Sequence, residues 1–537
     1  MFGEDVMPIM NLGHLVTQAS VRYPERMAVI FGDVRLTWSA VNQRIDLLVA
    51  ALRDLGVQKG DRVLVQARNS HRMFETKWAC FKAGAVWVPV NFRLTESEVA
   101  YITNHSGASL MFHDAEFDAH AAAAASASTR LKRSICYDRP GSGTDAYEAL
   151  LESSAFAAPF EAVVEHDDPA WFFYTSGTTG RPKAAVLTHG QLAFVTVSHL
   201  ADMFPGTTVE DTSLVIAPLS HGAGVHALAH VARATTQVLY PNTEITPERV
   251  WEIVQTHMVT NFFAVPTLLK KLVEHHSVDM YDHSTLRRVN YGGAPMYRAD
   301  QKLALTKLGS VLVQHFGLGE FTANITVLAP EHHSPSDDDA ACLTGSCGVP
   351  RTGIEVAILA ADARQLPSGV EGEICARGPA AFAGYFRDED ASRKAFRDGW
   401  FHTGDIGHVD ERGFVYVTGR QSDMYISGGL NVYPREVEEI LLTHPQVSEV
   451  AVVGMPDPQW GESGVAVLVT ADGQAVPTHE FSELFANQLA KYKWPKRYEF
   501  WAELPKSAYG KILKREIRSR LSTTATGVAC EPDGRIA

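Results

Sequence analysis

Apolar positions set the rhythm of the chain before any chemistry is read. Met27–Phe31 is a short apolar run that predicts a strand, and Gly32-Asp33 predicts a turn. Val41, Ile45, Leu48, Leu52 and Leu55 then recur at the spacing of one helix face, and Gly56 ends that helix. Further strands are predicted at Arg62–Gln66, after Gly60-Asp61, and at Ala85–Val90, after another helical stretch. Alternation of this kind predicts an α/β protein whose sheets are covered on both faces. It continues to about residue 330, with no internal period that would signal a solenoid or propeller. Ala121–Ala125 is low in complexity and reads as a helix end or surface loop.

Beyond about residue 345 shorter strands and glycine turns take over, as at Gly369–Ile374 and Gly413–Val417, and predict a β-rich subdomain. A boundary is predicted at Arg420–Ser422. It divides a large N-terminal domain, 1–420, from a small mobile α+β domain, 421–537. In the latter, Pro434 suits a helix start, Val437, Ile440 and Leu441 follow at helical spacing, and Val450–Val453 and Gly464–Val469 read as strands. From about residue 522 periodicity is lost and a disordered tail is expected.

Composition narrows the classes. The chain has 537 residues, 45% hydrophobic and 20% charged, which fits a globular protein of more than one domain. A formal net charge of −14 has the wrong sign for gripping a phosphate backbone, so no nucleic-acid partner is expected. The acidic opening lacks the basic region of a signal peptide, and no apolar run reaches the roughly 18 residues of a membrane span. A cytoplasmic protein is expected. The six cysteines form no C-x-x-C pair and are expected to be reduced thiols; Cys342 and Cys347 are given no role.

The most informative stretch is Tyr174-Thr175-Ser176-Gly177-Thr178-Thr179-Gly180-Arg181-Pro182-Lys183, at the end of a predicted strand. Its glycines let backbone N–H groups turn inward, its hydroxyls add donors and Lys183 adds positive charge, as a phosphate cradle requires. A Walker A loop cannot be laid on it. On composition alone, a plain flexible Ser/Thr/Gly loop stands beside the cradle as an equal reading.

The order of residues resembles the phosphate loop of the adenylate-forming superfamily, which includes acyl-CoA synthetases, peptide-synthetase adenylation domains and luciferases. Five further segments resemble that family's motifs in order. Gly292-Gly293-Ala294-Pro295 looks like its adenine-facing segment, and Phe316-Gly317-Leu318-Gly319-Glu320 stands at its aromatic-Gly-x-Thr-Glu motif. Trp400–Asp405 is similar to its ribose segment, and Gly419-Arg420 with Ser427-Gly428-Gly429-Leu430-Asn431 to its domain junction. Leu504-Pro505-Lys506-Ser507 with Gly510-Lys511 resembles the motif bearing its catalytic lysine.

The resemblance implies a carboxylic acid, ATP and CoA as substrates, with Mg²⁺. Lys511 would bridge the attacking carboxylate and the α-phosphate, Lys183 with the Thr178-Thr179 loop would hold pyrophosphate, and Glu320 would bind Mg²⁺. Asp405 and Arg420 would fix the ribose, and Ser427, Gly428 and Gly429 would flank CoA. Two departures are visible. Gly319 replaces the motif's threonine, removing one hydrogen bond for which nearby Thr322 is the candidate replacement, and Ser422 stands at the hinge position where relatives commonly carry Asp or Lys.

Pro218-Leu219-Ser220-His221-Gly222-Ala223-Gly224-Val225-His226 matches the family's Pro-x-x-His segment, with His221 at its gate. Ser220–Leu228 carries no Asp, Glu, Lys or Arg, which disfavours amino acids and short dicarboxylates. Gly222, Ala223 and Gly224 leave room in the acyl pocket, in which Gly319 is also placed, with Phe262, Phe263, Tyr291 and Phe316 as candidate aromatic walls or ordinary core residues. His221 and His226 lack a third ligand for a metal. The implied activity is that of an acid:CoA ligase working through an acyl adenylate on a bulky aromatic, alicyclic or medium-to-long-chain monocarboxylic acid. A carrier-protein-loading enzyme and a nucleotide-binding relic without catalysis are the alternatives. A homodimer is left open, because composition carries no symmetry signal.

Overall fold

The computed structural model describes residues 8–139, 146–154, 158–176, 181–241, 244–294, 296–339, 342–428, 430–486, 488–506 and 512–525. Three sheets organise them. The strand Arg62–Gln66 runs parallel to Val86–Val90 on one side and to Leu110–His113 on the other. This six-stranded sheet ends in the antiparallel hairpin of Pro169–Ser176 and Pro182–Thr188. The predicted helix over Val41–Leu55 is Trp38–Asp54, and Thr37 caps it by accepting the Ala40 N–H. Its face Val41, Ile45, Leu48 and Leu52 is fully buried.

A second, 14-stranded sheet joins parallel and antiparallel parts edge to edge. Thr212–Val215, Asn261–Ala264, Arg288–Tyr291 and Leu312–Phe316 are parallel neighbours. From Leu312–Phe316 onward the pairings turn antiparallel, through Thr326–Leu328 and Ser346–Pro350 to Val415–Arg420 and Trp400–Val409. The β-rich part is therefore not separately sheeted: it continues the parallel sheet. Its short strands and Gly turns marked it in the sequence, but the edge-on joint depends on long-range pairing. The principal core lies between the two sheets and includes Trp38, Trp78, Trp87 and Trp171.

After Arg420 the chain turns at residues 421–423, where Asp423 and Met424 donate N–H groups to the Arg420 carbonyl. It then builds a five-stranded sheet around Val447–Asp457 and Gly461–Thr470, with Pro434–Leu441 packed on it. The helix Lys514–Ala525 continues past residue 522, where a structureless tail was expected to begin, and Leu521 anchors it in the core. The rest of that tail, 526–537, lies outside the described residues. Among the described residues no helix is long and apolar enough to cross a membrane. Cys80, Cys136, Cys342, Cys347 and Cys375 are free.

Candidate active site

Several of the predicted site residues, among them Thr175, Gly292, Gly317 and Arg420, stand at or just past the carboxyl ends of strands, where open α/β sheets receive ligands. Thr175 and Ser176 end the strand Pro169–Ser176, and Lys183 pairs with Thr175 across the hairpin. Gly177, Thr178, Thr179 and Gly180 lie outside the described residues, as do Pro295, Gly429 and Lys511. The flanks of Lys511 are visible: Lys506 and Ile512 form an antiparallel bridge.

Glu320 is the hub. It sits in the single turn Gly319–Phe321, 7% exposed, and its Oε1 accepts Thr175 Oγ1–H and Tyr385 O–H, each at 2.9 Å. Burial and the adjacent Glu320 charge push the Tyr385 phenol above its ordinary range, so it remains a donor. Lys183 Nζ stands 3.2 Å from Asp388 Oδ2 and 5.4 Å from the Tyr385 ring. Asp388 also accepts the Ala391 N–H as N-cap of Glu389–Ala395, which holds its carboxyl below the usual range together with Lys183. Sequence order did not single out Tyr385 or Asp388. Only the fold brings them to residues 65 and 205 positions away.

The ribose candidates meet across two strands. Asp405 pairs with Arg420 in the antiparallel register, and Arg420 Nε donates to Asp405 Oδ1 at 2.8 Å. Asp405 is 3% exposed, whereas the Arg420 side chain stays 42% exposed. Phe401, on the same strand as Asp405, packs against Phe321 and Phe382 and ties this pair to the turn holding Glu320. Glu373 accepts the Gly404 N–H and supports the segment from behind.

The adenine candidates Gly292, Gly293 and Ala294 leave the end of Arg288–Tyr291, beside Phe316 and Gly317 at the end of the neighbouring strand. Glycine is required at 292, since a Cβ there would lie 2.5 Å from the His315 carbonyl oxygen. Ser422 is exposed in the turn after Arg420. Ser427 is buried, and Gly428, at φ +58°, lies against the Trp460 indole.

The acyl-pocket residues divide. His221 precedes the helix Gly222–Ala232, its ring 4.7 Å from Phe173, and burial lowers its pKa to about 4. Ala223 is buried, and a Cβ on Gly222 would reach Phe263 at 3.4 Å. Tyr291 does not belong to this group. Strand alternation turns it to the opposite face, into the second core with Phe262, and its hydroxyl is held by Gln314, Gln301 and His333. Asn290 and Phe263 face the pocket side in its place, joined there by His315. Thr322 offers no substitute for the threonine missing at 319, because its hydroxyl is committed to the Phe321 carbonyl at 2.6 Å.

The structure thus shows a buried carboxylate bonded to two hydroxyls, a lysine nearby and a cross-strand aspartate–arginine pair. The family model for AMP-binding enzymes matches residues 16–386, and that for the AMP-binding enzyme C-terminal domain matches 436–511. This chain belongs to the AMP-binding enzyme family. Among members of the family, it is 38% identical over 513 residues to a feruloyl-CoA synthase from an Amycolatopsis species, covering 95% of this chain and 99% of that protein. It is 32% identical to the fatty acid–[acyl-carrier-protein] ligase ScoC of Streptomyces coeruleorubidus, covering 93% and 94%. The solved structure of o-succinylbenzoate CoA synthetase from Bacillus subtilis, in complex with its acyl-adenylate intermediate, superimposes at a TM-score of 0.82 and 30% identity, covering 95% and 98%.

Proposed function

We propose that the protein is an ATP-dependent carboxylic acid:CoA ligase that forms acyl-CoA through an acyl adenylate and releases AMP and pyrophosphate. The Glu320 cluster carries this reading: Thr175 and Tyr385 donate to the Glu320 carboxylate, and Lys183 stands beside Tyr385 and Asp388. Family membership and full-length likeness to CoA-forming enzymes support the reaction class.

Bringing a carboxylate to the α-phosphate of ATP sets two anions against one another, so the chain must supply positive charge and fixed donors. Lys511 would neutralise both reacting groups, and Lys183 with residues 177–180 would hold the leaving pyrophosphate. Asp405, positioned by Arg420 Nε, would accept the ribose hydroxyls. Glu320 fits Mg²⁺: it is a buried hard-oxygen ligand, and Mg²⁺ characteristically takes one or two carboxylates beside substrate phosphates and water. The ion would add charge neutralisation at the phosphates. After adenylation the small domain would rotate about Arg420–Ser422 and bring Ser427–Gly429 to the CoA thiol's path. ATP and CoA as co-substrates suit the cytoplasm.

Acid-dependent exchange of labelled pyrophosphate into ATP, measured without CoA, tests the first half-reaction. Lys511→Ala is expected to lower exchange at least a hundredfold while ATP still binds. Unchanged exchange in that variant would remove Lys511 from the mechanism.

A further inference from the structure

The helix that follows His221 presents Gly222, His226 and His230 on one face at intervals of four residues. Beneath it lies an interior cavity whose lining includes Ser213, His226, His230, Gln237, Asn261 and Phe263. Five of its thirteen lining residues are polar, and the other eight are apolar. The His226 ring lies tilted 4.9 Å from Phe263 and edge-on 5.3 Å from His315, and Asn290 shares the face of Phe263 through the register of neighbouring strands.

These groups are buried with little to bond. His226, His230 and His315 are 5%, 2% and 4% exposed, and Asn290 and Gln237 are fully covered. Nδ1 of all three histidines, both amide atoms of Asn290 and Oε1 of Gln237 find no hydrogen-bond partner among the described residues. Buried polar groups are normally paired, because leaving them unpaired costs free energy. A tail of plain hydrocarbon would leave every one of them unpaired. Burial holds His226 well below the ordinary imidazole range and His230 and His315 at about 3, so at pH 7 each ring offers one N–H and one lone pair. Arg351 supplies no free charge: its guanidinium is occupied by Asp202, His199 and Met203.

We propose that the acid activated here carries an uncharged hydroxyl or carbonyl group at the end remote from its reacting carboxylate, received by His226, His315 and Asn290. The proposal rests on the ligase reading and names its substrate class. At about 1.5 Å of rise per residue, His226 lies roughly 6 Å along the helix from Gly222 and His230 roughly 12 Å, a span suited to a ring acid or a ring on a short linker. Neutral donors and acceptors match a neutral group, and a second carboxylate would find no unpaired cation among the groups facing the cavity.

The test compares 4-hydroxy and 4-methyl members of the benzoic, phenylacetic and phenylpropenoic acids, which are nearly equal in size, by kcat/KM for AMP release. In at least one series the hydroxy acid is expected to exceed its methyl partner tenfold or more, since a site built to bond a hydroxyl rejects the analogue lacking it. His226→Leu and Asn290→Leu are expected to shrink that ratio to within threefold by lowering turnover of the hydroxy acid, and His226→Gln to retain part of it. Methyl acids used as well as or better than hydroxy acids in every series, or a ratio unmoved by both leucine variants, would overturn the proposal and leave the ligase reading standing. AMP release from no acid at all would overturn the ligase reading and this proposal with it.

Discussion

Phe173 occupies the space that a side chain at Gly319 would need: a Cβ built there would stand 2.6 Å from Phe173 Cε1 and 3.0 Å from Thr175 Cγ2. Phe173 is itself packed on His221, so glycine at 319 and phenylalanine at 173 form one fitted unit at the pocket wall. Restoring the family's threonine should therefore cost stability. Gly319→Thr is expected to lower the unfolding free energy by about 1–3 kcal/mol through overpacking. Gly319→Thr combined with Phe173→Val should recover most of it in urea unfolding; an additive loss in the double variant would show that the two positions are not coupled.

Tyr385 and Glu320 give a graded test of the hub. Tyr385→Phe removes one neutral donor to a carboxylate, a bond of about 1.5–3 kcal/mol, and is expected to slow adenylation about ten- to a hundredfold with little change in fold. Glu320→Gln keeps the shape and removes the charge. Its activity should fall further and should need more Mg²⁺ for half-maximal rate, read from a Mg²⁺ titration of pyrophosphate release.

Lys77 is buried beneath the acyl-pocket helix, where Nζ donates to the Gly224 carbonyl and lies 5.2–5.8 Å from the ring centres of Trp78, Phe81, Trp87 and Trp171. Burial lowers its pKa to about 7. Between pH 7 and about 10.4 the unfolded chain thus holds a proton that the native protein has shed, so stability rises with pH, by up to about 1.4 kcal/mol per unit. Lys77→Met is expected to flatten that rise in urea-unfolding measurements from pH 7 to 9.5. An unchanged slope would mean that Lys77 stays charged among its aromatic neighbours.

The buried histidines make the opposite limb steep. His230 and His315 are held at about 3 and His221 at about 4, all by burial, against about 6.5 in an unfolded chain. Below pH 6.5 unfolding takes up these protons and the native state does not, so stability falls as the solution is acidified. The contribution is present above pH 6.5 and wanes toward pH 3 to 4. His230→Leu is expected to reduce the loss of stability between pH 7 and 5, measured by thermal unfolding.

How much of this was legible depended on range. The strands Met27–Phe31 and Arg62–Gln66 and the helix face Val41 to Leu52 were readable because periodicity is local and burial follows it. Asp405 and Arg420 were readable through motif order, and they prove to be cross-strand partners. Tyr291 takes the core alternative rather than the pocket one, because a one-residue step along a strand reverses the face and no composition rule says which face holds the pocket. Tyr385, Asp388, His315 and Asn290 gave no local signal, and His226, though visible in the Pro-x-x-His segment, gave no hint of these neighbours, since each grouping depends on strands distant in sequence.

The central claim is that one protein joins a carboxylic acid to CoA through an adenylate. It is tested most directly by incubating purified protein with MgATP and a panel of ring and C2–C18 acids, with and without CoA, and following AMP, pyrophosphate, acyl-AMP and acyl-CoA by mass spectrometry. The account predicts acyl-AMP and pyrophosphate from the preferred acids without CoA, and acyl-CoA with stoichiometric AMP when CoA is added. Acyl-AMP that CoA never consumes would move the acceptor to a carrier protein, and no adenylate from any acid would contradict the account outright.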